Sequence, residues 1–263
     1  MGALRVTHVG NGVVYLIAGG GKIYTDIAAR FCRSERTVKE IIDSPYSPEI
    51  VRNILSSSHK AALEFDYFLF GVEGYSRITE TQLVRKRMAS YLIKSGRADL
   101  GDKRLFSVVL PDDVANFEAE VDIPGGWFSK KLSGTDILHI VRQWYDQAIK
   151  AGMHDEDARY LKPQATEFRG IIGMNARSLL EFFAVRCCKN AQEEIRDMAT
   201  KMLHLCKNVA PDLFADAGPN CVQLGYCPEN SRQHYSCTGK IITKDDALRL
   251  IKNNKDCNRL LSS

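Results

Sequence analysis

The sequence contains no hydrophobic run long enough to cross a bilayer, since no apolar stretch approaches the ~20 residues that a membrane-spanning helix needs. The most hydrophobic early segment, Val13–Ala18, is short, follows no basic leader and runs into three glycines. We therefore interpret it as a strand and a turn and not as a secretion signal. Internal repeats, heptad arrays and low-complexity tracts are also absent. These absences argue against membrane-spanning, secreted and fibrous proteins.

Cysteine is too sparse for a disulfide scaffold, with 8 thiols in 263 residues and no Cys-x-x-Cys pair. This usage favours a reducing, cytoplasmic setting. Charge is also nearly balanced, because 36 lysines and arginines face 32 acidic residues and leave a net charge of +4. An excess this small argues against a domain that coats nucleic acid, and it suits a small anionic ligand if the arginines converge on one place.

The composition is that of a folded globular protein, with 44% hydrophobic and 26% charged residues. The length predicts one large domain or two small ones. Runs of apolar and aromatic residues predict a strand covered on both faces over residues 63–73 and another strand over residues 166–174. Apolar spacing predicts helices over residues 78–88 and 136–151 and a long helical region over residues 177–209.

The clearest amphipathic helix is the one predicted over residues 136–151. We expect Thr135 to cap its start and Gly152 its end. The apolar stripe that we expect to face a core comprises Ile137, Ile140, Val141, Trp144 and Ala148. Residues 98–134, which precede this helix, are the least regular part of the chain and are rich in proline and glycine.

The most informative stretch is QLVRKRMASYLIKSGR, residues 82–97. It groups three cations, Arg85-Lys86-Arg87, and places Ser95-Gly96-Arg97 after a gap of seven residues. Guanidinium groups beside a hydroxyl and a glycine suit the binding of a phosphate. The alternative from the residues alone is a basic, solvent-facing helix end whose cations complement the helix dipole.

This stretch resembles the signature of the flavin-dependent thymidylate synthase family, Arg-His-Arg-x7-Ser-x-Arg. Further blocks resemble the family in the same order along the chain. They are Ala28-Ala29-Arg30-Phe31-Cys32, His59 to Glu64, Glu73-Gly74-Tyr75-Ser76-Arg77, Glu156-Asp157-Ala158-Arg159-Tyr160-Leu161-Lys162-Pro163, Met174-Asn175-Ala176-Arg177, Arg186-Cys187-Cys188 and Ala191-Gln192-x-Glu194-Ile195. The similarity spans about residues 24–210 with consistent spacing, so it is specific.

The resemblance implies an α/β (α+β) fold in which a twisted antiparallel sheet is flanked by helices. It also implies a homotetramer whose active sites are built from more than one subunit. The reaction it implies is reductive methylation of dUMP at C5 to give dTMP. FAD would carry the hydride from NADPH, and methylenetetrahydrofolate would supply the carbon. Neither nucleic acid nor a membrane is an expected partner.

The resemblance also assigns a nucleotide site. The positions where the family holds the uridylate are occupied here by Gln82, Ser95, Gly96, Arg97, Arg159 and Arg186. Arg97 and its neighbours would bind the 5′-phosphate. Ser95 and Arg186 are the catalytic candidates, since Arg186 would lie against the pyrimidine and stabilise an electron-rich ring. Alternatively, Arg186 is a salt-bridge residue on a helix surface. Family members do not rely on a cysteine nucleophile, so Cys187 and Cys188 need no catalytic role.

The implied cofactor site matches the family less closely. The positions that would contact FAD carry Arg85, Lys86, Arg87, Asn175, Glu181 and Asn190. Lys86 replaces the signature histidine, although a lysine can still pair with a pyrophosphate as a point charge. Other departures from the family pattern are Phe65, Leu92, Ile93 and Ala98. Two alternatives follow: a relative that acts on another pyrimidine nucleotide such as UMP, or a non-catalytic paralogue that binds a nucleotide.

The end of the chain has a different composition. We expect residues 1–214 to form the catalytic domain and residues 215–263 to form a cysteine-containing extension. Cys221, Cys227 and Cys237 in this extension could supply three thiolates to zinc, with His234 or Cys257 as a fourth ligand. The alternative is a set of ordinary unpaired thiols, and because no Cys-x-x-Cys pair is present we assign no metal site.

Overall fold

The computed structural model describes residues 4–21, 23–95, 106–122, 125 and 129–253. The described strands are β1 (Val6–His8), β2 (Val13–Ala18), β3 (Tyr67–Ser76), β4 (Ser90–Ile93), β5 (Val108–Leu110), β6 (Glu118–Asp122), β7 (Ser129–Ser133) and β8 (Glu167–Asn175). The described helices are α1 (Thr25–Phe31), α2 (Val38–Ile42), α3 (Pro48–Ser56), α4 (Arg77–Leu83), α5 (Asp112–Asn116), α6 (Gly134–Lys150), α7 (Asp155–Ala158), α8 (Ala176–Arg186), α9 (Glu193–Val209), α10 (Pro211–Phe214), α11 (Asn220–Leu224) and α12 (Lys244–Asn253). Short 3-10 helices cover Ala61–Phe65, Arg159–Leu161, Asn230–Arg232 and Tyr235–Cys237.

The strands form one larger sheet and two pairs. The four-stranded sheet has the order β2-β3-β8-β4. Strands β6 and β7 pair antiparallel, with Glu118 opposite Ser133. Strands β1 and β5 pair in parallel, with Val6 opposite Val108. The three strands predicted from the sequence are therefore present, as β2, β3 and β8, although residues 63–65 belong to a 3-10 helix and β3 begins only at Tyr67.

The chain divides into two compact units. Unit 1 comprises Met1–Tyr15 and Phe70–Ile172, and unit 2 comprises Leu16–Leu69 and Gly173–Ser263. The boundaries between the units fall within β2, β3 and β8. This division differs from the domain boundary at residue 214 that the sequence analysis predicts. The catalytic domain of residues 1–214 and the extension of residues 215–263 therefore stay a prediction.

The core of unit 1 forms around Phe106, Val108 and Tyr145, which are nearly fully buried. The rings of Phe106 and Tyr145 meet edge to face with their centroids 5.7 Å apart. Arg142 is also buried, and its Nη1 donates to the Phe106 carbonyl oxygen at 3.3 Å. The side of α6 that carries Arg142 and Tyr145 therefore faces this core.

The orientation predicted for this helix was wrong in part: Val141 of the predicted stripe packs against the core and Ala148 is half-buried, but the other three residues are exposed. Ile137, Ile140 and Trp144 were expected to face a core, yet 42%, 50% and 43% of their surfaces are exposed. The predicted cap was also wrong, because Ser133 and Asp136 form a capping box that starts α6 one residue before Thr135. Amphipathic spacing located the helix along the chain but did not locate its buried side.

The helix predicted over residues 78–88 is shorter in the structure, where α4 ends at Leu83. The Tyr91 hydroxyl lies 2.9 Å from the Leu83 carbonyl oxygen and 2.8 Å from the Lys86 carbonyl oxygen. The Lys86 N–H also bonds the Leu83 carbonyl oxygen at 3.1 Å. These hydrogen bonds satisfy the carbonyl oxygens that the end of α4 leaves without helical partners. The helix therefore ends before Arg85-Lys86-Arg87.

The core of unit 2 is helical and aromatic. The spacing of Ile195, Met198, Met202 and Leu205 predicts the inward face of α9; the first three are fully buried and Leu205 is half-buried, so this face is largely confirmed. The long helical region is divided into α8 and α9, and the Gln192 side chain accepts the Ile195 N–H at the start of α9. The Phe214 ring makes edge-to-face contacts with Phe68 and Phe183, at centroid distances of 5.3 and 6.1 Å.

The start of β3 is joined to helix α1 by a buried carboxylate. Asp66 accepts the backbone N–H groups of Tyr24 and Thr25 at 2.7 and 2.9 Å, and it also accepts the Thr25 hydroxyl. The backbone carbonyl of Asp66 accepts the Ala176 N–H at 2.7 Å, at the start of α8. A negative charge at a helix N-terminus is favourable, so one residue orients both helices. The strand predicted over residues 63–73 was expected to be covered on both faces, but Phe65 and Tyr67 are exposed.

Phe214→Ala should lower the free energy of unfolding by about 3–5 kcal/mol, because it removes a buried ring that contacts two others. Phe214→Leu keeps most of the apolar volume and should cost less. Urea unfolding followed by circular dichroism measures both. Equal losses for the two variants would contradict the importance assigned to the aromatic contacts.

Candidate active site

The basic signature lies between two anchored elements in unit 1. The Ser76 hydroxyl caps the start of α4 by accepting the Thr79 N–H at 3.4 Å. After α4 the chain turns through Arg85, Lys86 and Arg87 and enters β4. Arg85 and Arg87 are exposed, whereas Lys86 is half-buried. Burial raises the pKa of the Tyr91 hydroxyl that fixes this turn to about 12, so it remains a hydrogen-bond donor.

A cavity of about 1080 Å³ lies next to the end of β4 and belongs wholly to unit 1. Ser95, at the end of the described signature, lines it together with Arg159 of the 3-10 helix after α7. The structure thus brings together two of the six predicted nucleotide-binding residues. Gln82 lies on α4, is half-buried and does not line this cavity. Gly96 and Arg97 lie outside the described residues.

Positive charge dominates this cavity. The cationic side chains that line it are Arg5, Arg77, Lys94, Arg159, Lys162 and Arg169, and the acidic ones are Glu73, Glu80 and Glu167. Arg77 and Glu80 neutralise each other through an ion pair of 2.6 Å. The Tyr15 hydroxyl donates to Glu73 at 3.1 Å, and this bond raises the pKa of Tyr15. An anionic ligand is therefore what the cavity favours.

Two glycines allow the chain to pass close to the cavity. A Cβ on Gly12 would lie 2.4 Å from the Tyr75 ring, so no other residue fits there. A Cβ on Gly74 would lie 3.1 Å from the Gly12 Cα, and the φ of Gly74 is +76°, which disfavours other residues. Steric crowding and the positive φ therefore explain why glycine occupies position 74 in the Glu73-Gly74-Tyr75-Ser76-Arg77 block.

Sequence reasoning missed most of the cavity-lining cations. Arg77, Lys94 and Lys162 lie inside or beside the blocks that resemble the family, and their sequence neighbourhood could have indicated them. Arg5 and Arg169 lie outside those blocks. Nothing in the sequence pattern placed them near Ser95, because the pairing of β1 with β5 and of β8 with β4 brings them there.

The other candidate residues lie in unit 2, on or next to α8. Asn175 caps this helix, since its Oδ1 accepts the Ser178 N–H at 2.9 Å. Arg186 is the last residue of α8 and is half-buried. Asn190 follows in the turn before α9, where its side chain donates to the Arg232 carbonyl oxygen at 2.8 Å. Helix α8 thus positions Asn175 and Arg186 at its two ends, whereas Asn190 is held by the Arg232 carbonyl oxygen.

Glu181 faces a second cavity, of about 930 Å³, within unit 2. Its carboxylate lies 3.5 Å from Nε of Arg177, which also donates to Glu64 at 2.7 Å. Lys60 lines the same cavity and bonds the carbonyl oxygens of Leu55 and Ile54 at the end of α3. Burial lowers the pKa of Lys60. The Arg177 guanidinium group is therefore shared between the carboxylates of Glu64 and Glu181.

The side chains present fit the ligands that the family resemblance implies. Ser95 and Arg159 offer a hydroxyl and a guanidinium group to a phosphate in a cationic cavity. The exposed cations Arg85 and Arg87, in a turn fixed by Tyr91, suit a pyrophosphate. In unit 2, Asn175 and Glu181 offer amide and carboxylate groups at one helix. These side chains are therefore chemically compatible with a nucleotide and a dinucleotide cofactor.

The described thiols of the predicted extension lie near one another without the arrangement that a metal centre needs. The pKa of the Cys221 thiol is raised, mainly by burial. The nearby thiols of Cys188, Cys227 and Cys237 raise it further. Among the residues that the structure describes, no three His, Cys, Asp or Glu side chains are arranged to hold a metal ion. His234 is bonded to Ser236, and Cys257 lies outside the described residues.

The adjacent cysteine after Arg186 is not an activated nucleophile. Burial raises the pKa of Cys187 to about 11, so its thiol stays protonated at neutral pH. This agrees with the expectation that Cys187 needs no catalytic role. In the described part of the chain, no helix is both long and apolar enough to span a membrane.

Comparison with known sequences identifies the family. The family model described as "Thymidylate synthase complementing protein" matches residues 22–212. A flavin-dependent thymidylate synthase of Geobacter sulfurreducens is 36% identical over 206 residues, which cover 77% of this chain and 84% of that protein. One of Thermococcus onnurineus is 40% identical over 190 residues, which cover 70% of this chain and 74% of that protein.

Comparison with solved structures supports the fold described above. A UMP/dUMP methylase of Streptomyces cacaoi bound with 5-Br dUMP superposes with a TM-score of 0.62 at 18% identity, covering 81% of this chain and 96% of that chain. The expected mixed fold of helices and antiparallel sheet is confirmed. The family model and the relatives also confirm the expected enzyme class, an FAD-dependent methyltransferase with NADPH and methylenetetrahydrofolate as co-substrates. The chain belongs to the flavin-dependent thymidylate synthase family.

Proposed function

We propose that this protein catalyses the reductive methylation of dUMP at C5 to give dTMP, with methylenetetrahydrofolate as the carbon donor and NADPH as the reductant. The observation that carries the proposal is the cationic cavity of unit 1, which brings Ser95 and Arg159 together. A nucleoside monophosphate is dianionic near neutral pH, and a cavity with twice as many cations as carboxylates favours it. Family membership supplies the reaction.

Ser95 and Arg159 would bind the 5′-phosphate, together with Gly96 and Arg97, which continue the chain directly from Ser95. Arginine offers paired N–H donors that match phosphate oxygens, and such charge-assisted bonds contribute about 1.5–3 kcal/mol each. Both Ser95 and Arg159 are exposed, so the phosphate can reach them without a rearrangement of the core. Gln82, half-buried on α4, would hold the uracil ring by its amide.

Arg186 would lie against the pyrimidine. Methylation at C5 requires electron density to build up on the ring, and a fixed guanidinium group beside it stabilises that density more than it stabilises the resting ring. Arg186 suits this role because it ends α8, a helix whose inward face is fully packed. A rigid helix holds the charge in place, so little reorganisation accompanies the reaction.

The basic turn of unit 1 and helix α8 of unit 2, each by itself, carry residues at the positions that would contact FAD. Arg85, Lys86 and Arg87 would face its pyrophosphate, while Asn175, Glu181 and Asn190 would offer hydrogen-bonding groups from unit 2. When bound, the flavin supplies hydride transfer. The chain's own contribution is to orient this cofactor and to balance its charge.

We further propose a homotetramer in the cytoplasm, with sites completed by neighbouring subunits. Exposed apolar side chains on unit 2 support subunit association: Ile17, Phe65 and Tyr67 expose 52%, 66% and 51% of their surfaces. A cytoplasmic location agrees with the reduced state of the described cysteines, which form no disulfide in the structure.

A second candidate function is methylation of UMP. The solved methylase of Streptomyces cacaoi is described as acting on both UMP and dUMP, and a second structure of it holds 5-Br UMP, with a TM-score of 0.61. The two substrates differ by one hydroxyl at the 2′-position. The non-catalytic alternative rests on four residues that depart from the family pattern, Phe65, Lys86, Leu92 and Ile93.

One assay separates these functions. Purified protein is incubated with NADPH and with 5-tritiated dUMP or UMP, with and without methylenetetrahydrofolate, and tritium release is measured. Folate-dependent release from dUMP, together with flavin absorbance near one FAD per subunit, is expected. Release from UMP alone would favour the second function. A colourless protein that binds dUMP without releasing tritium would support the non-catalytic alternative.

Arg159→Gln should raise the Kd for dUMP at least tenfold, because it removes a charged donor to the phosphate. Isothermal titration calorimetry measures this. Arg33→Gln makes the same change at an exposed arginine that does not line the cavity, and it should leave the Kd unchanged. If both variants bind dUMP as the wild type does, Arg159 does not contact the phosphate.

Arg186→Ala should abolish turnover while flavin content stays at the wild-type level, because the lost charge acts on the pyrimidine and not on the cofactor. Anaerobic reoxidation of the reduced flavin by dUMP and folate measures the first effect, and absorbance measures the second. Arg186→Lys retains the charge and should recover part of the rate. Full activity in Arg186→Ala would instead assign this arginine to the helix surface.

A further inference from the structure

Three arginines in the unit 1 cavity have no hydrogen-bond or ion-pair partner for their side chains among the described residues: Arg5, Arg159 and Arg169. All three are exposed to the cavity and the solvent. Arg159 has a ligand under the proposed function, the nucleotide phosphate. Arg5 and Arg169 have none.

Backbone pairing holds both of these arginines in place. The Arg5 carbonyl oxygen accepts the Val108 N–H at 3.1 Å, directly before β1 pairs with β5. The Arg169 carbonyl oxygen accepts the Lys94 N–H at 3.0 Å, so this residue is joined to the one that precedes Ser95. Their positions at the cavity are therefore set by strand pairing and not by side-chain contacts.

The cavity has room for more than a nucleotide. Its volume of about 1080 Å³ slightly exceeds the roughly 300–1,000 Å³ of a typical site for one drug-sized ligand. Arg5 also lies outside the segment 22–212 that matches the family model. One positive charge of the cavity, that of Arg5, therefore comes from a part of the chain that the family model does not cover.

A hydrogen-bond acceptor accompanies this charge. Glu167 lies two residues before Arg169 on β8 and therefore on the same face of the strand. Its Oε2 is buried and has no hydrogen-bond partner among the described residues. A buried acceptor without a donor is unfavourable, and a ligand with an N–H or O–H group beside its anionic group would relieve it.

We propose that Arg5 and Arg169 form a second oxyanion subsite, distinct from the 5′-phosphate site, for the anionic group that a co-substrate carries far from its reacting end. This inference rests on the proposed function. The two co-substrates both offer this chemistry: folate carries glutamyl carboxylates beside an amide N–H, and NADPH carries a 2′-phosphate beside a ribose hydroxyl. The subsite would lower the KM of one of them without taking part in the reaction.

The experiment compares ligands that differ only in the distal anionic group. Binding to the purified flavoprotein is measured by isothermal titration calorimetry for tetrahydrofolate with one or three glutamyl residues, and for NADPH against NADH. The proteins are the wild type, Arg5→Gln, Arg169→Gln, the double variant and the control Arg33→Gln. If the double variant does not fold, the same ligand preference is measured on the two single variants.

The wild type should prefer the more anionic member of one pair by about tenfold, and the double variant should lose that preference. A lost preference for triglutamyl folate identifies the carboxylate as the ligand, whereas a lost preference for NADPH identifies the 2′-phosphate. Affinity for dUMP and flavin content should not change, and Arg33→Gln should behave as the wild type does.

Three results would overturn the subsite: no preference or no co-substrate binding in the wild type, an unchanged preference in the double variant, or an equal loss of dUMP affinity. The last would place both arginines at the nucleotide phosphate. A failure of the proposed function looks different, because the wild type would then neither bind dUMP nor release tritium from it.

Discussion

Uncompensated positive charge is the constraint on which the candidate site depends. Arg5, Arg159 and Arg169 line one cavity of unit 1 and have no partner among the described residues. Like charges repel each other, so the fold holds them together only because separate backbone segments carry them. Such a fixed arrangement binds anions without reorganisation, which is how an enzyme stabilises a negatively charged substrate and the charge that develops during its reaction. The preference of the cavity for anionic ligands follows from this distribution.

Unit 2 meets a different requirement, which is rigidity. Its interior is helical and aromatic, and the Phe214 ring packs against Phe68 and Phe183. The candidate residues lie at the ends of α8, where Asn175 caps the first turn and Arg186 ends the last. Side chains at the ends of a well-packed helix vary little in position. A group intended to act on a ring or a cofactor benefits from that precision, since a misplacement of ~1 Å can cost a large part of the rate.

Sequence patterns predicted the elements better than their orientations. Strand β8 and the inward face of α9 agree with the prediction, because both follow from local runs of apolar residues. The buried side of α6 was predicted only in part, since Val141 packs against the core as expected but Arg142 also packs inward and Trp144 is half-exposed. Helix α4 ended early because the Tyr91 hydroxyl, several residues further on, satisfies the carbonyl oxygen of Leu83. Contacts of this kind depend on the tertiary structure and leave no local pattern.

The sequence by itself determined the family, because spaced blocks of residues such as Arg85-Lys86-Arg87 and Ser95 are preserved as a linear pattern. It also determined which residue types are available to bind a phosphate. Only the tertiary structure decided that Arg5 and Arg169 join Arg159 at one cavity, since residues far apart in the chain become neighbours through strand pairing. Charge convergence is a property of positions in space, and the order of residues along a chain does not specify it.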